Sequence, residues 1–202
     1  TVQVKEQVDS SLYETLHIKD SPWTKWIEQN LQSNAKIGYD PRLHQASWEE
    51  NVKKLLEDNF KLVPIDVNPI DLFWEERPQP NENKALLLNE KYTGKSSGDK
   101  RRNMAEEISK NNCDAAFLTQ LDSIAWLLNI RGNDVPCNPV LLCHGLLHAD
   151  GSFELFIDKN KIPDDFHNHV GQNVAFYAPT DIKKQLQNFA GKKIQLDSST
   201  WT

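Results

Sequence analysis

"VLLCHGLLHADGSFELFID", residues 140–158, decides the fold. Two short apolar runs flank Ala149-Asp150-Gly151, and Asp-Gly between such runs is a strong hairpin turn. The pair therefore predicts two antiparallel strands. Upstream, "GDKRRNMAEEISKNN" (98–112) reads as a helix, "CDAAFLT" (113–119) as a strand and "LDSIAWLLN" (121–129) as a helix. Downstream come a short helix in "IPDDFHNHV" (162–170), a strand in "NVAFYAP" (173–179), a helix in "DIKKQLQNFA" (181–190) closed by Gly191, and a last strand in "KIQLDS" (193–198). Helix and strand alternate on both sides of an embedded hairpin. That order implies an α/β fold with a mixed sheet flanked by helices.

The first part of the chain follows a looser version of the same plan. Residues 2–9 fit a helix or a strand equally. "SLYETLHI" (11–18) alternates with period two and predicts a strand. Ser21-Pro22 predicts a helix start, Ser as cap and Pro at the first helical position, running through Leu31. "KIGYD" (36–40) and "FKLVPI" (60–65) read as strands. Between them Ser47-Trp48-Glu49-Glu50 forms a capping-box pattern, opening a helix with Val52, Leu55 and Leu56 on its inner face. In "NPIDLFWEERPQPNENK" (68–84) Asn68 caps, Pro69 fills the first turn, Asp71 suits the positive helix end and Ile70 meets Trp74 one turn on. Pro78 and Pro80 then stiffen a polar link. The expected organisation is a first domain over residues 1–76, a linker at 77–84 and a second domain over 85–202.

Composition sets the outer limits. With 202 residues, 38% hydrophobic, six Trp and eight Phe, the chain can bury a substantial core. A net charge of −6 leaves no general basic field for nucleic acid or anionic lipid. Lys100-Arg101-Arg102, with Asp99, Glu106 and Glu107 nearby, reads as a solvated helix face. Cys113, Cys137 and Cys143 show no C-x-x-C spacing and fit reduced thiols in a cytoplasmic protein. No apolar run reaches about 18 residues, and no signal peptide is recognisable. The start at Thr1 suggests a portion of a longer chain.

Tests for chemistry mostly return structural readings. "YTGKSSG" (92–98) has Asn89 where a phosphate-binding loop needs its first glycine, so a turn leading into the next helix is preferred. His144 and His148 lie on a strand, where four residues span roughly 13 Å, and no zinc-hydrolase Glu accompanies them. His167 and His169 beside Asp164 and Asp165 offer at most an opportunistic surface site. No G-x-S-x-G is present, and no Cys stands at a helix start beside a basic group. The polar stretch after the helix at 121–129 is different. Arg131 can favour the negative helix end and Gly132 can supply a left-handed cap. That account does not cover Asn133, Asp134, Pro136, Asn138 and Pro139, where prolines stiffen a polar edge suited to holding side chains for a ligand or a neighbouring domain. Both readings stay open on the residues alone.

Three motifs carry a resemblance to the three-domain type of Xaa-Pro aminopeptidase (aminopeptidase P). "NPIDLFWEERP" is similar to the family's link between its first and second domains, with Pro69 at a variable position. "YTGKSSGDK" is similar to its Y-T-G-x-S-x-x-D-K helix start, with Lys95 and Gly98 at variable positions. "LDSIAWLLNIRGNDVPCNPV" (121–140) matches L-D-x-I-A-W-L-x-N-x-R-G-x-D-x-x-x-N-P-V at nearly every defined position, and "IGYDP" is similar to a G-x-D-P of the first domain. The resemblance implies the C-terminal part of a first creatinase/prolidase N-terminal-like domain (ribonuclease H-like) and a complete second one. It further implies a parent metallopeptidase that removes the residue preceding a proline in second position. The parent's catalytic pita-bread domain, with two divalent ions, usually manganese, would be the partner of this part, alongside peptide substrate. The part itself is then expected to lack catalytic residues, metal ligands and activity. Asn129, Arg131, Asp134 and Asn138 would face the cleft and shape substrate access. The alternative is a self-association module, a homodimer among its forms.

Overall fold

A computed structural model describes residues 2–57 and 59–200. Contacts divide the chain into two compact units, one running to Glu75 and the other beginning at Glu76.

In the first unit, helix α1 (Val2–Gln7) precedes an extended stretch, and α2 (Trp23–Asn30), β1 (Lys36–Tyr39), α3 (Ala46–Leu55), β2 (Lys61–Pro64) and α4 (Pro69–Phe73) follow. β1 and β2 pair in parallel, Lys36 opposite Lys61 through Tyr39 opposite Pro64. Ile27, Val52 and Leu56 form the buried centre, with Ile37, Trp48, Phe60 and Leu62 packed around it. Several sequence expectations are corrected here. Residues 11–18 form no strand, and Leu12 and Ile18 are exposed. Their alternation meets no partner, because among the described residues this unit's sheet contains only β1 and β2. Pro22, not Ser21, occupies the cap position of α2. α3 starts at Ala46 after Gln45, so Ser47 lies inside the first turn and the Ser47–Glu50 box gives way. Val52 and Leu56, four apart, share the inner face, whereas Leu55 is rotated off it and is 60% exposed. The α4 start follows expectation, the Asn68 side chain accepting from the Ile70 N–H at 3.0 Å.

The second unit contains β3 (Leu86–Leu87), α5 (Glu90–Thr93), α6 (Ser97–Lys110), β4 (Ala115–Leu118), α7 (Leu121–Leu128), β5 (Ile130–Arg131), β6 (His144–His148), β7 (Phe153–Phe156), α8 (Phe166–Val170), β8 (Val174–Tyr177), α9 (Ile182–Gln187) and β9 (Ile194–Gln195). Five strands form one sheet in the order β8-β7-β6-β4-β9. β6 is antiparallel to both neighbours, and the outer pairs β7–β8 and β4–β9 are parallel. The hairpin at 140–158 thus supplies the antiparallel centre of a mixed sheet, with Gly151 at φ +83° closing its turn. β3 and β5 make a second, two-stranded antiparallel ribbon.

Both sheet faces are covered, which explains why its strands are apolar on successive residues. Leu147, Phe153, Leu155 and Val174 face one layer with Ile108 of α6, Ile124, Leu127 and Leu128 of α7, and Phe166 and Val170 of α8. Ala115, Phe117, Leu146 and Phe156 face the other, closed by Phe189 with Ile182 and Leu186 of α9. Each fully buried Phe or Leu here stabilises by about 1.5–3 kcal/mol. Gly145 is the tightest point of the sheet, since a Cβ there would run into the ring of Phe153. Gly145→Ala is therefore expected to cost about 1–3 kcal/mol, read as a lower urea midpoint at unchanged slope. Adding Phe153→Leu, which removes the obstructing ring, should recover part of the midpoint lost by Gly145→Ala relative to the Phe153→Leu background.

Candidate functional site

The polar corner after α7 is built from inside outward. α7 ends at Asn129, which adopts the left-handed conformation at φ 56°, ψ 43°. Gly132 does not supply this cap, contrary to the sequence expectation. It is required because a Cβ would strike the Leu141 side chain. Asn129 is 3% exposed and uses every polar group. Its Oδ1 accepts from Lys100 Nζ at 2.6 Å, its Nδ2 donates to the Lys95 carbonyl at 2.8 Å, and its own carbonyl accepts from Leu88 N–H at 2.9 Å. His169 Nε2 lies 2.9 Å from the same carbonyl.

Lys100 and Arg101 correct the expectation of a solvated face. Each is 4% exposed, and only Arg102 of the three remains in water. Lys100 also donates to the Trp126 carbonyl at 2.9 Å and lies over the Trp126 ring at 4.5 Å. Arg101 donates to the carbonyls of Gly151 at 2.7 Å, Val170 at 2.9 Å and Gln172 at 3.1 Å. The signal was available: Ser97, Arg101, Ala105 and Ile108 recur at helical spacing and are all buried.

Beyond Asn129 the chain makes a small hairpin. Ile130 and Arg131 pair with Leu87 and Leu86. Gly132 N–H donates to the Pro139 carbonyl and Asp134 N–H to the Val140 carbonyl. Asn138 N–H returns to the Val135 carbonyl at 3.1 Å across Pro136 and Cys137, the latter at φ 61°. Proline followed by a positive-φ residue is the pattern of a type II turn. Asp134 fixes the hairpin to the body. Its Oδ2 accepts from Lys161 Nζ at 2.6 Å and Leu142 N–H at 2.8 Å, with the Lys161 and Asp134 side chains 6% and 2% exposed. Asn81 and Asn83 donate to the Asn133 side chain at 3.0 and 3.2 Å.

The four candidate residues therefore divide by position. Asn129 and Asp134 are internal and hold the corner's shape, while Asn138 is exposed and Arg131 half-buried. Arg131 Nη1 turns back to the carbonyls of Ile130 at 2.7 Å and Ala125 at 3.3 Å, as expected for a cation at a helix C-terminus. No carboxylate contacts Lys100 or Arg131 among the described residues, and burial followed by the Arg131 charge holds the Lys100 pKa below its ordinary value. Arg131 and Lys100 thus bring two cations close enough to act on each other, and a cation attracts carboxylates and carbonyl oxygens through charge-assisted hydrogen bonds.

Among the described residues, no three His, Cys, Asp or Glu side chains are placed to hold a metal ion. His144 and His148 are on β6. His169 is engaged with Asn129, and His167 packs edge-on against Phe176 at 4.8 Å. No helix among the described residues is long and apolar enough to cross a membrane.

Residues 76–202 match the creatinase/prolidase N-terminal domain family, and the chain belongs to that family. The probable Xaa-Pro aminopeptidase P of Aspergillus fumigatus is 33% identical over 177 residues, covering 85% of this chain and 27% of its own length. That of Laccaria bicolor is 34% identical over 177 residues, covering 87% and 27%. An X-prolyl aminopeptidase from Caenorhabditis elegans, described as a cytosolic enzyme with a di-nuclear active site, superposes with a TM-score of 0.83 at 27% identity, over 94% of this chain and 32% of that one. The chain thus spans 27% of the length of these two curated relatives.

Two outcomes check the site's construction. Lys161→Met alone should cost about 3–5 kcal/mol in urea unfolding, because it strands a buried carboxylate, whereas Lys161→Met with Asp134→Leu should cost less. Burial pushes the Cys143 thiol up to about 12, with the Asp134 charge adding to it. The attacking thiolate is therefore scarce at pH 8, and iodoacetamide should label exposed Cys137 while leaving Cys143 unmodified until the protein is unfolded.

Proposed function

We propose that this chain is the noncatalytic N-terminal and middle region of a metal-dependent, cytoplasmic Xaa-Pro aminopeptidase. In this reading residues 1–76 are the C-terminal part of a first creatinase N-like domain, 77–84 a linker and 85–202 a second such domain. The catalytic pita-bread domain of the parent is its partner, and that domain holds the two divalent ions, manganese in the usual case. The part considered alone is inactive. The corner borders the route taken by peptide substrate: Arg131 and Asn138 present its outer face, and Asn129 and Asp134 keep that face in place.

One observation carries the reading. Among the described residues, Arg131 and Lys100 are neighbouring cations with no contacting carboxylate, and only the Nη1 of Arg131 makes a hydrogen bond. The free groups suit a peptide carbonyl or terminal carboxylate, giving orientation rather than chemistry.

A second reading, self-association, is supported by the first unit. Ile70, Leu72 and Phe73 of α4 are 65%, 65% and 83% exposed, and a two-stranded parallel sheet leaves its edges open. Sedimentation over a wide concentration range tests it, and a strict monomer removes it.

In the intact enzyme, Arg131→Ala should lower kcat/KM on Xaa-Pro peptides about tenfold or more, the scale of a lost charge-assisted hydrogen bond, while costing only the stability of a helix-end cation, about 0.3–1 kcal/mol. Wild-type kinetics with that loss of stability would reduce the corner to a helix stop.

A further inference from the structure

The carbonyl of Asn129 is the point through which the corner is aimed. It belongs to the planar peptide unit joining Asn129 to Ile130. Whatever fixes that oxygen therefore fixes ψ of Asn129 and φ of Ile130, and with them the direction in which Arg131 leaves α7. Asn129 sits at φ 56°, ψ 43°, a conformation that L residues keep only where their surroundings hold them in it.

A carbonyl oxygen has two lone pairs to offer. At Asn129 one partner is the Leu88 N–H at 2.9 Å, from the residue after β3. The other is His169 Nε2 at 2.9 Å, from α8. The peptide unit is thus pinned by two separate elements. A carbonyl only accepts, so Nε2 carries the proton in this contact. Lys100 does different work: it holds the Asn129 side-chain Oδ1, which leaves the main-chain oxygen to Leu88 and His169.

α8 has only five residues and by itself would be a poor mount for an imidazole. It is anchored on both sides of His169. Phe166 and Val170 are buried in the core beneath it, and Arg101 donates to the Val170 and Gln172 carbonyls at 2.9 and 3.1 Å. His169 itself is half-buried, and its N–H closes on the Asp165 carbonyl at 3.0 Å. Its ring is therefore delivered by a fixed backbone across 40 residues of sequence. His167, two residues earlier, packs on Phe176 instead.

We propose that His169 is a positioning residue for the corner: through the Asn129 carbonyl it sets the course of Ile130 and Arg131, and so the aim of the Arg131 side chain. The proposal rests on the reading of Arg131 as a peptide-orienting group. His169 itself touches no substrate.

Kinetics of the intact enzyme on Xaa-Pro peptides test it. His169→Ala should lower kcat/KM about threefold to tenfold, the scale of one neutral hydrogen bond. His169→Gln, whose amide nitrogen reaches about as far as Nε2, should restore most of that loss. In an Arg131→Ala background, His169→Ala should add nothing further, because no side chain remains to be aimed. A second measurement needs no activity: in the 202-residue chain, His169→Ala should speed hydrogen exchange at the Leu88 amide by a comparable factor, while amides inside the five-stranded sheet keep their protection. The proposal is overturned if Arg131→Ala lowers kcat/KM but His169→Ala does not, if glutamine fails to restore it, or if the two losses multiply. Unchanged exchange at Leu88 overturns the link through the Asn129 carbonyl whatever the kinetics show. An Arg131→Ala enzyme with wild-type kinetics removes the reading of Arg131 itself, and the positioning role with it.

Discussion

The second unit depends on two buried cations of α6 that have carbonyls, not carboxylates, as partners. Arg101 gathers the β6–β7 turn at Gly151 and the end of α8 at Val170 and Gln172. Lys100 does the same for the end of α7 at Trp126 and Asn129. Moving such a charge out of water costs several kcal/mol, and burial presses the Arg101 pKa down, with neighbouring Arg102 adding to it. Bonds from an ionised donor return about 1.5–3 kcal/mol each, and helix C-termini are where carbonyls are left unpaired. Two helix ends and a hairpin turn therefore supply what a single carboxylate would, while fixing three segments at once. A carboxylate could neutralise one cation but could not tie together elements so far apart in sequence.

From that fastening the geometry of the corner follows. Lys100 holds Asn129, and Asn129 turns the chain left-handed at the end of α7. The turn delivers Ile130 and Arg131 to pair with β3 and presses Gly132 against Leu141. The next residues are then drawn in by the Asp134–Lys161 pair, whose lysine carbonyl in turn accepts from Ala85 N–H at 2.8 Å. What projects is a short hairpin with Pro136 and Pro139 in it. Its rigidity comes from buried ionic contacts at its base more than from the prolines at its tip.

This separation between base and tip explains what was legible in the residues. The hairpin at 140–158, the helices at 97–110 and 121–128 and the cap at Asn68 are encoded locally, by turn chemistry and spacing, and were readable. Lys100 and Arg101 were not read as buried because composition treats adjacent cations as a surface feature, and their partners are carbonyls 26 to 71 residues away. Gly132 suits a cap on sequence grounds because the left-handed position and the close-contact position are both glycine habits, and only the Leu141 side chain distinguishes them. The strand predicted at 11–18 failed for the opposite reason. Alternation is a local signal, but a strand exists only where another strand accepts its hydrogen bonds. Of the four site candidates, the motif brought all of them to notice, while only tertiary contacts could show that two face inward.

The charge pattern limits what the corner can do. A chain of net charge −6 does not draw anionic ligands from a distance, and at physiological salt the field of Arg131 and Lys100 fades over a Debye length of about 8 Å. A cationic corner in such a chain acts on groups that have already arrived. On the reading proposed above, it would turn a carbonyl or carboxylate and favour one register of a bound peptide over another, without raising the encounter rate much. Whatever Arg131 contributes should therefore shrink as salt rises.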